Sequence, residues 1–98
     1  MACKEISQQE IRRILFSHTK IQIVDVREVD EYRQGHIEGS QLIPLTILPN
    51  QLDKLDRNRP VVVVCRSGNR SSQACDLLTK HGFQVSSLSG GLSAWRSA

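Results

Sequence analysis

Hydrophobic positions recur along this chain with two alternating periods. Ser7 and Glu10 have capping-box spacing, and Ile11, Ile14 and Leu15 behind them form one apolar face, predicting a helix that runs to about Ser17. Ile21 to Val26, rich in β-branched residues, predicts a buried strand. Glu28 to Arg33 predicts a short helix closed by Gly35, and Leu42 with Ile43 a brief strand stopped by Pro44. Leu48, Leu52 and Leu55 keep helical spacing around Pro49, so a helix is expected from about Pro49 onward. The unbroken run Val61 to Val64, ending in Cys65, predicts a strand buried on both faces. A helix from about Asn69 to Lys80 follows, with Ala74, Leu77, Leu78 and His81 on one face and Gly82 as its natural stop. Gln84 to Leu88 reads as a last strand, and Leu92 to Arg96 as a final helical turn or two.

Strands separated by helices favour parallel pairing, so the expected class is α/β, with a mainly parallel sheet of four to five strands flanked by helices on both faces. Residues 1–98 are expected to form a single domain, because no repeat, linker or low-complexity stretch divides them. A chain of this length buries only about two-thirds of its unfolded surface, so its stability should be modest.

Composition narrows the function classes. The net charge of +3 is mild and its basic residues are scattered, which disfavours nucleic-acid binding. The amino-terminal residues are polar and charged, and no apolar stretch has membrane length, so no membrane role is expected and cytoplasmic residence is the default. The cysteines, Cys3, Cys65 and Cys75, form no Cys-x-x-Cys. His18, His36 and His81 are far apart, so no metal and no cofactor are expected. An odd cysteine count and wide spacing argue against a disulfide framework. Cys75 is expected to pack in the core, and Cys3 to be partly ordered near the terminus.

Cys65 is the candidate nucleophile. It is the first residue past a buried strand, and in parallel sheets ligands sit where such strands end and loops lead into helix N-termini. An ordinary cysteine is only a few per cent ionised near neutral pH, whereas the thiolate is the reactive form. A loop wrapped around the sulfur would supply inward amides from Arg66 to Ser71, and the following helix its positive end. Arg66 and Arg70 add full charges. Gly68 suits a position of positive φ, and Asn69 tolerates one better than most residues. Ser67 and Ser71 complete a cradle for an anion. A cysteine closing an apolar strand is often a buried hydrophobe, but an inert thiol has no need of two guanidinium groups and a glycine beside it.

The stretch Cys65-Arg66-Ser67-Gly68-Asn69-Arg70-Ser71 resembles the active-site loop of the rhodanese-like, or thiosulfate sulfurtransferase, superfamily, in its single-domain form. Ile23-Val24-Asp25-Val26-Arg27, with Glu31-Tyr32 and Gly35-His36-Ile37, is similar to that family's upstream signature. Gly90-Gly91-Leu92 with Ala94-Trp95 resembles its C-terminal one. Glu38, Ser40 and Leu42 depart from the family pattern, but in a turn outside the reactive loop. The resemblance implies a double displacement without a cofactor. Cys65 attacks a small anionic sulfur donor such as thiosulfate, becomes a persulfide, and passes the sulfur to cyanide, a thiol or a protein acceptor. The loop residues Arg66, Ser67, Gly68, Asn69, Arg70 and Ser71 would bind the donor, with Arg70 and the amides holding the negative charge.

Two rivals stand beside this reading. Phosphatases and arsenate reductases of the same fold carry a longer loop, whereas here four residues, Arg66 to Asn69, separate Cys65 from Arg70. A sulfur-carrier or regulatory module acting with a protein partner is the other. With no resolving cysteine evident near Cys65, redox sensing by that thiol is disfavoured. Of the remaining polar residues, Arg27 and Glu31 have i,i+4 spacing suited to an ion pair, His36 is expected to be a hydrogen-bonded structural histidine, and Trp95 a core anchor.

Overall fold

A computed structural model describes residues 3–17 and 20–95. Five parallel strands form one sheet in the order β1-β5-β4-β2-β3, where β1 is Glu5–Ile6, β2 Gln22–Asp25, β3 Gln41–Leu42, β4 Val61–Val64 and β5 Val85–Leu88. Three α-helices connect them: α1 (Gln8–Phe16), α2 (Val29–Arg33) and α3 (Asn69–Lys80).

All four valines of β4 are buried, because the strand is central and covered on both faces. Their alternation divides the core in two. Val61 and Val63 pack with Val24, Val26, Leu48, Ala74, Cys75, Leu78 and Phe83 on the α3 side. Val62 and Val64 pack with Ile6, Ile11, Ile23, Ile37 and Leu88 on the α1 side. The chain leaves β2 through α2 toward β3, and leaves β4 through α3 toward β5, in opposite directions across the sheet. The carboxyl ends of β2 and β4 therefore flank a topological switch point, where open parallel sheets bind ligands.

Most expected elements are present. Ser7 caps α1 by accepting from the Glu10 amide at 3.1 Å, though Leu15 stands 43 % exposed and the buried stripe rests on Ile11 and Ile14. α3 ends at Gly82, φ +85°, as its sequence predicts. Its buried face, however, is Ser71, Ala74, Cys75 and Leu78, with His81 exposed. The helix expected after Pro49 is instead two 3₁₀ turns, Leu48–Asn50 and Leu52–Lys54. Gln51, at φ −125°, interrupts them, and Leu48 and Leu55 anchor the segment in the core while it bends toward β4. The last turn, Leu92–Ala94, is also 3₁₀, and Arg96, its expected end, lies outside the described residues.

Two features run against expectation. β1 has two residues, too few to show any period. It carries Cys3 over α3, where Cys3 and Cys75 are joined as a disulfide with Cα atoms 5.9 Å apart, inside the usual range for such a bond. Their separation of 72 residues gave no sign of it, because the proximity arises only when β1 pairs with β5. No helix among the described residues is long and apolar enough to cross a membrane.

Candidate active site

Cys65 follows β4 directly and opens the loop into α3. Gly68 makes the turn possible: at φ +110°, ψ −16° it adopts a left-handed conformation that other residues rarely enter. Asn69 is already the first helical residue and needs no such geometry. α3 has no side-chain cap and no acidic residue in its first turn. The sulfur of Cys65 takes that place, accepting from the Gly68 amide at 3.0 Å and the Ser71 amide at 3.3 Å. The expected nest therefore forms with Gly68 and Ser71 as its amide donors.

A hydroxyl relay backs this ring. Ser71 Oγ lies 3.5 Å from Cys65 Sγ, 3.1 Å from the Gly68 carbonyl oxygen and 2.7 Å from Ser87 Oγ on β5. Ser71 has one hydroxyl proton. With the thiol neutral, the S–H can donate to Ser71 Oγ; with the thiolate present, Ser71 can donate to sulfur while Ser87 donates to Ser71. Ser87 lies in a strand whose sequence carries no chemical signal, and only the parallel pairing of β4 with β5 brings it here.

Burial pushes the Cys65 thiol pKa up, because the residue is 1 % exposed. The hydrogen bonds from the Ser71 hydroxyl and from the Ser71, Gly68 and Ser67 amides pull it down more strongly, and the net shift is downward from 9.0. Cys65 is therefore a member of the α3-side core whose sulfur meets polar donors on its loop side.

The two arginines of the loop separate. Arg70 does not touch the sulfur. It makes a bidentate pair with Glu31 of α2, Nη1 to Oε1 at 2.7 Å and Nη2 to Oε2 at 2.8 Å. These bonds lower the Glu31 pKa from 4.5 to about 2 and raise that of Arg70, to which the charge of Cys65 also contributes. Glu31 thus fixes the Arg70 guanidinium, which feels the charge of Cys65 without bonding to it. Arg66 is exposed and lines a cleft of about 260 Å³ with Arg27, Glu31, Gln34, Gly35, Leu92 and Ser93.

Arg27 does not pair with Glu31, because it precedes the Glu28 N-cap of α2 and the helical i,i+4 geometry does not reach it. It grips Asp25 instead, Nε to Oδ1 at 2.9 Å and Nη2 to Oδ2 at 2.8 Å, and its Nη2 also donates to the Gly35 carbonyl at 2.8 Å. Both are buried at the end of β2, beside the end of β4. His36 is held structurally, its Nδ1 2.8 Å from the Tyr32 carbonyl oxygen and its ring stacked on Tyr32 at 3.7 Å. Trp95 packs against the α1-side core with Arg12 over its ring.

The carboxyl-terminal turn holds the loop from behind. Leu92 N–H donates to the Cys65 carbonyl at 2.8 Å and Ser93 N–H to that of Arg66 at 2.9 Å. Gly91, at φ +66°, lies so close that a Cβ there would overlap the Arg66 carbonyl. Gly90-Gly91-Leu92 is thereby part of the site.

Known proteins bear on this geometry. The family model of the rhodanese-like domain matches residues 7–98. A protein named sulfurtransferase from Allochromatium vinosum is 35 % identical over 93 % of this chain and 86 % of its own length. The thiosulfate sulfurtransferase GlpE of Shewanella oneidensis is 40 % identical over 80 % of this chain and 78 % of that protein. Among solved structures, a rhodanese-like domain protein from Staphylococcus aureus superposes with a TM-score of 0.90 at 32 % identity, covering 96 % of this chain and 92 % of that one.

Proposed function

This chain belongs to the rhodanese-like domain family, and from that premise we propose that it is a sulfurtransferase in which Cys65 carries sulfur from thiosulfate, or a donor of like charge, to a thiophilic acceptor. The general activity follows from relatives named as sulfurtransferases. The choice of Cys65 is supported by one observation above the others: its sulfur receives the Gly68 and Ser71 amides at 3.0 and 3.3 Å.

In the first half-reaction the Cys65 thiolate attacks the outer sulfur of thiosulfate. The new S–S bond forms as the old one breaks, and sulfite leaves with the bonding pair. Cys65 becomes a persulfide whose negative charge sits on the added sulfur. In the second, cyanide or a thiolate, free or on a protein, attacks that added sulfur, and the Cys65 thiolate departs. Each state carries an anion at or next to Sγ, so the same amides, with the Ser71 hydroxyl, serve throughout. Arg66 gives the neighbouring cleft a positive charge suited to an anionic donor, since Arg27 there is paired with Asp25 and Glu31 with Arg70. Because Cys65 is 1 % exposed, the loop must yield slightly for a donor to reach it. Spacing also speaks for sulfur over phosphate: the loop from Cys65 to Arg70 is short, and Arg70 is already engaged by Glu31.

The test is mass spectrometry of the purified protein after incubation with thiosulfate. The intact chain should gain the mass of one sulfur atom, and Cys65→Ser should not. A parent protein that gains nothing, or a Cys65→Ser variant that gains as much, overturns the assignment.

A further inference from the structure

The sulfur-transfer reading makes no use of the thiols Cys3 and Cys75, yet the fold builds a frame around them. Cys75 is 1 % exposed on α3, whereas Cys3 is only partly buried. Cys3 lines two clefts, one of about 510 Å³ with Lys4, Asp76, Thr79 and Lys80, the other of about 350 Å³ with Glu5, Ser67, Gly68 and Asn69. A small molecule can therefore reach Cys3, and Lys4 and Lys80 outweigh Asp76 in drawing an anion to its first cleft.

The bond between the two sulfurs closes a ring. From Cys3 the chain runs into β1, whose Glu5 registers with Ser87 of β5. Ser87 Oγ meets Ser71 Oγ at 2.7 Å. Ser71 lies one turn of α3, about 6 Å along the axis, before Cys75. β1 is otherwise a two-residue edge strand, held by such bonds as Ser87 N–H to the Lys4 carbonyl and Ser89 N–H to that of Ile6, both 2.8 Å. An edge strand with so short a ladder opens readily unless it is tied down.

We propose that Cys3 and Cys75 form a redox-switched staple, closed by anionic low-molecular-weight disulfides such as oxidised glutathione, that pins β1 to α3 behind the Cys65 loop. The Cys3 thiolate attacks one sulfur of the small disulfide and releases one thiolate. The Cys75 thiolate then attacks Cys3 Sγ and releases the second. The two protein thiols lose two electrons and two protons, and the small disulfide is reduced to two thiols. Cys65, enclosed by its amides, takes no part. This inference stands apart from the sulfurtransferase reading, since it concerns different sulfurs.

Reduced, reagent-free protein treated with oxidised glutathione should yield, on non-reducing tryptic digestion, the Met1–Lys4 peptide linked to Ser71–Lys80, with Cys65 still alkylatable. The melting temperature of the oxidised form should exceed that of the reduced form by about 5–15 °C, and exchange of the Ser87 and Ser89 amides should rise at least about tenfold on reduction. Cys3→Ser should melt at the lower temperature in both conditions while still gaining one sulfur from thiosulfate. Linkage through Cys65, a persistent glutathione adduct, or equal melting and exchange in the two states overturns the staple.

Discussion

The thiol of Cys65 is subject to opposing pulls, and the balance sets its reactivity. Burial alone would keep it protonated, yet the Gly68 and Ser71 amides and the Ser71 hydroxyl converge on the sulfur and lower its pKa from 9.0. The sign follows directly: as pH falls the thiolate is lost only on passing the lowered pKa, so the decline of the reaction with iodoacetamide should begin at lower pH than for an unassisted thiol. The second-order alkylation rate against pH should have its midpoint below 9.0. Ser71→Ala should move that midpoint upward, because it removes the hydroxyl while leaving the Ser71 amide. A parent midpoint at 9.0 or above, or no upward movement in the variant, contradicts the account.

At the scale of elements, the loop is a bridge held at both ends. α3 gives it amides and the turn Leu92–Ala94 takes its carbonyls. The Arg70–Glu31 pair ties α3 to α2, though at this exposure it contributes only about 0.5–1 kcal/mol, so its weight lies in orienting Arg70. Gly91 is the tightest joint. A methyl group there meets backbone of Arg66 and Ser67, which has no flexible end to move aside. Gly91→Ala should therefore cost about 2–3 kcal/mol in urea denaturation and lower sulfur-transfer turnover more than about tenfold by displacing the ring. Gly39, at φ +86° with open space around it, is the control. Gly39→Ala should cost about 1 kcal/mol of backbone strain and leave turnover unchanged.

For the molecule as a whole, the sheet order decides where chemistry occurs. β2 and β4 lie side by side, Asp25 registers with Val64, and the two chains depart in opposite directions, leaving Asp25 and Cys65 at one crevice. Asp25 and Arg27 are buried there and neutralise one another. Such a pair is a weak source of stability while intact, but breaking it strands a charge away from water. Arg27→Ala should lower the unfolding free energy by about 3–5 kcal/mol, read from the urea midpoint at unchanged m-value, and a loss below about 1 kcal/mol would contradict the burial argument. Replacing both partners with apolar residues of similar volume should cost much less.

Much of this was open to reading along the chain, because it depends on near neighbours. The β-branched run Val61 to Val64, the helical period from Asn69 to Lys80 and the glycine at 68 each report a local preference, and they place a thiol at a strand end beneath a helix. Periodicity failed after Pro49, where core anchoring by Leu48 and Leu55 overrode an α-helical spacing. It was silent about contacts between distant segments. Only tertiary structure paired Arg70 with Glu31, set Ser87 behind Ser71 and joined Cys3 to Cys75. The reason is the same each time. A side chain's period is written in its own segment, whereas its partner is chosen by how parallel strands pair across the sheet.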